Sequence, residues 1–272
     1  MKGKSPTFES SEMNDDVQIS KAQKKIEMKI ALVTGANKSI GFETVRVLAG
    51  QGYQVYLGSR DLENGKAAVA TLNAAGLQSI TPVQIDVTDP ASVEQAKAFI
   101  AERSGHLDIL VNNAGILGDF PQTAVSAPIE SIRRVFDTNF FGTINVIQTF
   151  LELLYKSQSP VIVNVTSGLA SLTLHNDPDW IYYKYKTASY GPSKTALNAY
   201  TITLASELKE KGFKVNVVDP GHTATDFNHH TGSGTVTSAA EFVAGYAMLD
   251  GDGPTGKYFS KDIQEESKVS PW

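Results

Sequence analysis

The chain contains no cysteine among its 272 residues. Disulfides, thiolate metal sites and cysteine nucleophiles are therefore excluded, and no redox-compartment signal is present. No apolar run approaches ~18 residues, so no transmembrane helix is expected. The N-terminus lacks the basic-then-apolar pattern of a secretory signal. The first 28 residues also lack arginine and carry Glu9, Glu12, Asp15 and Asp16, which argues against a mitochondrial address. A cytoplasmic location is the expectation. Positive charge is not in excess: the net charge of −5 argues against a nucleic-acid footprint. Neither an internal repeat nor a low-complexity core segment occurs. The histidines form no metal-binding pattern, and adjacent His229 and His230 in a Gly- and Thr-rich loop do not change that, so no metal is expected.

What is present is alternation. Residues 1–28 are polar and charged and read as a flexible tail that cannot bury enough surface to offset its ordering. From residue 29 to 272, short apolar runs alternate with helical patterns. The runs are 30–33, 54–58, 81–87, 108–111, 161–165, 215–218 and 257–259. Helices are expected at 42–49, 61–75, from Asp89-Pro90 onward, at 128–156, 190–211 and 238–249. This predicts one α/β domain of the doubly wound Rossmann type, with a parallel sheet of about seven strands covered by helices on both faces. Phe140 and Phe141 are expected in its core.

The first strand runs into Gly35, Asn37, Lys38, Ser39, Ile40 and Gly41. Glycines there allow close approach of backbone to a pyrophosphate, and the following helix offers free N–H groups and a positive dipole end. An ordinary tight strand–turn–helix is the alternative. The second strand ends in Ser59-Arg60, with no carboxylate at its end. An acidic residue there would bind a ribose 2′-hydroxyl, whereas a basic one accommodates a 2′-phosphate. Arg60 and Lys38 together favour NADP(H), with NAD(H) left open because Asp61 is able to pair with Arg60. Gly35, Ser59, Asp86, Asn113, Ser167 and Pro220 all fall just past strand ends, where ligands bind in such sheets.

Tyr190 and Lys194 stand four residues apart, on one face of a helix, and Ser167 ends the fifth strand. A free phenol titrates near pH ~10, and a nearby ammonium pulls that value down. The pair suits proton transfer at a carbon–oxygen bond. Taken alone, a Tyr and a Lys at this spacing are commonplace.

Together these residues resemble the short-chain dehydrogenases/reductases, in particular the carbonyl-reductase-like members, over about 29–260. The resemblance rests on Thr34-Gly35 through Gly41, Asp86, Asn112-Asn113-Ala114-Gly115, Asn139, Ser167 with Tyr190 and Lys194, and Pro220-Gly221 followed by Thr223 and Thr225. It implies an NADPH-dependent reduction of a ketone or aldehyde, with Asn139, Ser167, Tyr190 and Lys194 as catalytic residues. Asn139 would hold a water that relays protons to Lys194. The cofactor set would comprise Gly35, Asn37, Lys38, Ser39, Ile40, Gly41, Arg60, Asp86, Val87, Asn113, Ala114, Gly115, Tyr190, Lys194, Pro220, Gly221, Thr223 and Thr225. An NAD(H)-dependent alcohol dehydrogenase and a non-catalytic NADP-sensing regulator are the other readings. The family also implies a homodimer or homotetramer packed through the helices at 128–156 and 190–211.

Two departures stand out. Ser39 replaces the family's middle glycine, and the Ser167-to-Tyr190 interval is longer than usual. The insertion, about 171–188, carries Trp180, Tyr182, Tyr183 and Tyr185. With Leu169, Trp180 and Tyr185 are expected to wall a pocket for a bulky or aromatic small-molecule carbonyl substrate. The alternative is that these rings pack the loop onto the protein. His175 lies in this insertion and is also placed near substrate. Residues 222–240, with Gly232 and Gly234, read as a lid.

Overall fold

A run of four apolar residues, Ile30–Val33, forms β1 and is buried at every position. Burial of both faces is what a central parallel strand requires. The computed structural model describes residues 28–272. The tail expected at 1–28 lies, apart from Met28, outside the described residues. The remaining strands are β2 (Gln54–Ser59), β3 (Ile80–Gln84), β4 (Ile109–Asn112), β5 (Val161–Val165), β6 (Lys214–Asp219) and β7 (Tyr258–Ser260). They form one seven-stranded sheet in the order β3-β2-β1-β4-β5-β6-β7, parallel throughout. The order reverses between β1 and β4, the switch point where a crevice opens beyond the strand ends.

Helices cover both faces. One face carries α1 (Ser39–Gly50), α2 (Leu62–Ala74) and α7 (Val236–Ala247), whose Val45, Leu48, Leu72 and Val243 meet Val33, Leu57 and Val163. The other carries α3 (Pro90–Ser104), α4 (Ile129–Phe136), α5 (Thr143–Leu154) and α6 (Tyr190–Leu208); Ile100, Phe150 and Leu204 pack there against Leu32, Leu110 and Ile162. Local chemistry sets the starts and stops. Asp61 caps α2 by accepting from Asn64 N–H at 2.9 Å, and Asp89 caps α3 by accepting from Ala91 N–H at 3.0 Å, with Pro90 in the first turn. Gly105 ends α3 in the left-handed conformation. Among the described residues, no helix is long and apolar enough to cross a membrane, and no group of three or more His, Asp or Glu is placed to hold a metal.

Three expectations need correction. The helix expected at 128–156 is interrupted by a π turn, Asp137–Gly142, between α4 and α5. Phe141 is not in the core: it is 57% exposed. Successive helical residues point about 100° apart, so with Asn139 turned fully inward, the residue two further on faces solvent. Residues 236–240, assigned to the lid, belong to α7, because the Thr235 side chain accepts from Ser238 N–H and starts the helix there.

Ser39 opens α1 with φ of +52°, a left-handed conformation that costs a residue bearing a Cβ. Ser39→Gly is expected to stabilise the fold by roughly 0.5–1 kcal/mol, since the strain relieved exceeds the added freedom of the unfolded chain. Urea unfolding midpoints measure this, and a midpoint below wild type would show that the serine is not strained.

Candidate active site

The two halves of the crevice are stapled at the switch point. Thr34 Oγ1 accepts from the N–H groups of Asn113 and Ala114, each at 3.1 Å. Asn113 Nδ2 returns two bonds, to the carbonyls of Thr34 and Gly35, each at 3.0 Å. Gly35 adopts φ of +62°, and a Cβ there would lie 2.8 Å from Ala114 Cα, so only glycine permits this approach. The staple opens onto a cleft of about 1270 Å³ along the carboxyl ends of the strands. Every residue named above for the cofactor lines that cleft.

Within this set the partners differ. Arg60 has no acidic partner among the described residues, because Asp61 is committed to capping α2. Lys38 does have one, Asp226 at 3.3 Å, and both side chains are exposed. Asp86 accepts from Thr88 N–H and Oγ1 at 3.0 and 2.7 Å. Thr223 donates to the carbonyls of Pro220 and Gly221, and Thr225 opens the turn Asp226–Asn228 with a reciprocal bond to Asn228. These two threonines shape their loop while lining the cleft.

Ser167, Tyr190 and Lys194 share the deep wall. Lys194 is 4% exposed, and its Nζ donates to the Val165 carbonyl at 2.8 Å. Burial lowers its pKa to about 8. Tyr190 is also buried. Burial pushes its phenol above the ordinary range, the Ser167 hydroxyl pulls it back by hydrogen bonding, and the Asp219 carboxylate adds to the rise. The pull from Lys194 expected on Tyr190 is thus not the governing effect: desolvation of the phenol outweighs it. Asn139 sits below this wall rather than in the cleft. Its Nδ2 donates to Ile116 O and Ser193 Oγ at 2.9 and 3.1 Å, and its Oδ1 accepts from Ile116 N–H at 2.8 Å. The side chain pins the segment that follows Asn113, and the π turn is what turns it inward.

The insertion holds two 3₁₀ turns' worth of loop, Gly168–Ala170 leading in and Leu174–Asn176 within it. Leu169 and Tyr185 line the cleft, but Trp180 does not. Trp180 packs edge-on against His175 and Tyr182, with ring centroids at 5.0 and 5.4 Å. Tyr182 also reaches the cleft, where its hydroxyl donates to Asp262 at 2.9 Å and holds it. His175 stands behind this wall as well, bonded to Leu169 O and to Lys186.

Several residues of the site escaped sequence reasoning. Gln122 Oε1 accepts from Tyr190 N–H and Ser189 Oγ at 3.2 and 2.7 Å, capping α6 from a distant loop. Phe227, in the loop after β6, lies edge-on to the Tyr190 ring at 5.5 Å and lines the cleft. Asp219, at the end of β6, is buried with its pKa raised to about 6 by desolvation, against the Ser260 hydrogen bond that lowers it. Only Asp219 had a visible signal: a carboxylate at the end of an apolar strand, directly before Pro220-Gly221.

The short chain dehydrogenase family model matches residues 29–235. The (+)-neomenthol dehydrogenase of Capsicum annuum is 32% identical, over 88% of this chain and 97% of that protein. Among solved structures, the salutaridine reductase of Papaver somniferum superposes with a TM-score of 0.74 at 30% identity, covering 86% of this chain and 99% of that one. The NADPH-bound carbonyl reductase from chicken fatty liver gives 0.77 at 27% identity, covering 91% and 100%. With the family model spanning most of the chain, the protein belongs to the short-chain dehydrogenase family.

Proposed function

We propose that the protein reduces a ketone or aldehyde to the alcohol with NADPH. One observation carries this reading: the Ser167, Tyr190 and Lys194 side chains face the same cleft as the glycine turn and Arg60. The cleft fits a dinucleotide. Its glycine turn admits close backbone approach, α1 begins there with free N–H groups, and the volume exceeds what a substrate alone needs. Gly35 to Gly41 and Asn113 to Gly115 would hold the phosphates and the adenosine side, and Arg60 the 2′-phosphate. Lys194 and the Pro220–Thr225 loop would hold the nicotinamide side. When bound, the nicotinamide supplies the hydride.

The chain's own groups manage the proton. Tyr190, kept protonated by burial, donates to the substrate oxygen as charge develops on it. Ser167 donates a hydrogen bond to the same oxygen. Lys194 brings a positive charge to the deep wall. Leu169, Tyr182, Tyr185 and Phe227 present apolar surface beside Tyr190, which suits a bulky or aromatic carbonyl compound. The related dehydrogenase and reductases named above carry carbonyl or alcohol substrates in their names, in keeping with this direction. A pure nucleotide sensor would have no use for the complete set of Ser167, Tyr190, Lys194 and Asn139. Use of NAD(H) by an alcohol dehydrogenase is the remaining reading, and Arg60, which has no acidic partner among the described residues, weighs against it.

Tyr190→Phe is expected to lower turnover by about 10²-fold or more while NADPH binding, followed by fluorescence, is unchanged. Retention of over a tenth of the wild-type rate would falsify the acid role. Arg60→Ala is expected to raise KM for NADPH about 10-fold and leave NADH kinetics alone; equal effects on both cofactors would remove Arg60 from the 2′-phosphate site. Lys194 carries its charge below pH 8 and loses it above. The kcat/KM for reduction should therefore hold level below that pH and fall above it. The same burial makes the charged Lys194 a cost to folding below pH 8 that fades as pH rises from 8 to 10.5. Lys194→Met should abolish reduction yet stabilise the fold at pH 7, by on the order of 3 kcal/mol at most, with the gain shrinking at pH 10. Melting curves at the two pH values test it, and a gain that does not shrink contradicts the charge argument.

A further inference from the structure

The reaction as described uses the hydroxyl of Ser167 and ignores its carbonyl. That carbonyl has an unusual partner. Tyr258 Oη donates to it at 2.7 Å across a sequence separation of 91 residues. Its only other donor among the described residues is Ala170 N–H at 2.9 Å, the bond that closes the short turn after Ser167. On the opposite side of the residue, Leu169 N–H donates to Ser167 Oγ at 3.2 Å. The Ser167 hydroxyl is thereby an acceptor within its own turn, and its proton is left for Tyr190 or the substrate oxygen.

The next residue is crowded as well. A Cβ on Gly168 would stand 3.3 Å from Asp219 Oδ2, so the carboxylate lies against this turn. Asp219 in turn accepts from Ser260 Oγ at 2.6 Å and from Gly221 N–H at 3.0 Å. Tyr258 and Ser260 are two residues apart on β7, so one face of that strand supplies both hydroxyl donors. Phe259 points to the other face and stacks on Tyr246 at 4.1 Å. All three residues of β7 are buried although it is an edge strand. The chain's end fixes Tyr258 in place: Trp272 lies against its ring at 5.6 Å, and Ser270 N–H donates to its carbonyl at 2.8 Å.

We propose that Tyr258 is a positioning residue for the reduction: from the last strand it fixes the Ser167 carbonyl, and with it the direction of the Ser167 hydroxyl, while Asp219 packs behind Gly168. The inference rests on the reductase reading, because it takes Ser167 as the donor to the substrate oxygen. The phenol oxygen is the part that matters. A phenylalanine keeps the ring against Trp272 but leaves the Ser167 carbonyl with the turn bond alone. The peptide between Ser167 and Gly168 is then free to tilt, and the hydroxyl moves off the substrate oxygen. Displacements of about 1 Å at such a donor cost up to ~10²-fold in rate.

Tyr258→Phe is expected to lower kcat about 10-fold or more, with KM for the ketone and Kd for NADPH within about 2-fold of wild type. Amide hydrogen exchange is expected to speed up in the peptide covering Gly168 to Ala170 and nowhere else near the cleft. Ser260→Ala, which loosens Asp219, should show the same pattern more weakly. A kcat within about 2-fold of wild type, whether or not the melting temperature falls, overturns the proposal. So does unchanged exchange at Gly168 to Ala170. If the wild-type protein reduces no member of a ketone panel, the reductase reading fails by itself. The exchange data then still decide whether Tyr258 holds Ser167.

Discussion

An ammonium group removed from water is the constraint on which the site turns. Lys194 is buried on α6 with one hydrogen bond, to the carbonyl that ends β5. Burying such a charge with so little compensation is costly, and the lowered pKa is the visible sign of it. No packing advantage explains the arrangement, since an apolar side chain of similar length would fit the same path. The cost is tolerable because the large core on both faces of the sheet supplies a surplus. It also dictates neighbours. A Cβ on Gly115 would stand 3.6 Å from the ammonium and 3.2 Å from Asn139 Oδ1, so a glycine leaves both groups room.

The elements around Lys194 hold it from three directions. Gln122 caps the helix that carries it, Asn139 ties the segment after β4 to that helix through Ser193, and β5 supplies the carbonyl. The π turn belongs to the same design. Without an extra residue in that turn, the long helix would continue in regular register, and Asn139 would not be aimed at Ile116 with both of its amide hydrogens engaged. Positioning of the Tyr190 helix therefore depends on side chains from loops far away in sequence.

That dependence explains what sequence could and could not reveal. The seven strands and the residues past their ends were legible, because burial on both faces leaves unbroken apolar runs and glycines mark where the chain must turn closely, as at Gly35. The glycine turn, Asn113 and Ser167 follow from that pattern as strand ends, whereas Tyr190 and Lys194 became a site only through the family resemblance. Gln122 and Tyr258 were not legible, because a residue that acts through one long-range hydrogen bond leaves no local periodicity. The insertion shows a different limit. Its composition announced aromatic surface, yet long-range contacts such as the bond from Tyr182 to Asp262 place Tyr182 at the cleft while Trp180 packs on His175. The phenol of Tyr190 shows a third. A spacing of four residues brings Lys194 near, but the sign of the net shift depends on how dry the wall is, and burial is a property of the whole fold.

The loop after β6 connects these local facts to the cofactor. Its turn Asp226–Asn228 touches both sides of the cleft, Asp226 meeting Lys38 of the glycine turn and Phe227 meeting Tyr190. The two contacts differ in kind. The ion pair is exposed on both partners, so solvent screens it and it yields readily to a competing anion. The ring contact is apolar and sits on a buried phenol, so it persists unless something apolar replaces it. A phosphate arriving at Lys38 would thus displace Asp226 with little opposition, while Phe227 would keep covering Tyr190 until a substrate ring took its place. Cofactor and substrate would then meet separate, differently resisted contacts of one loop, while Arg60 has no acidic partner to displace among the described residues.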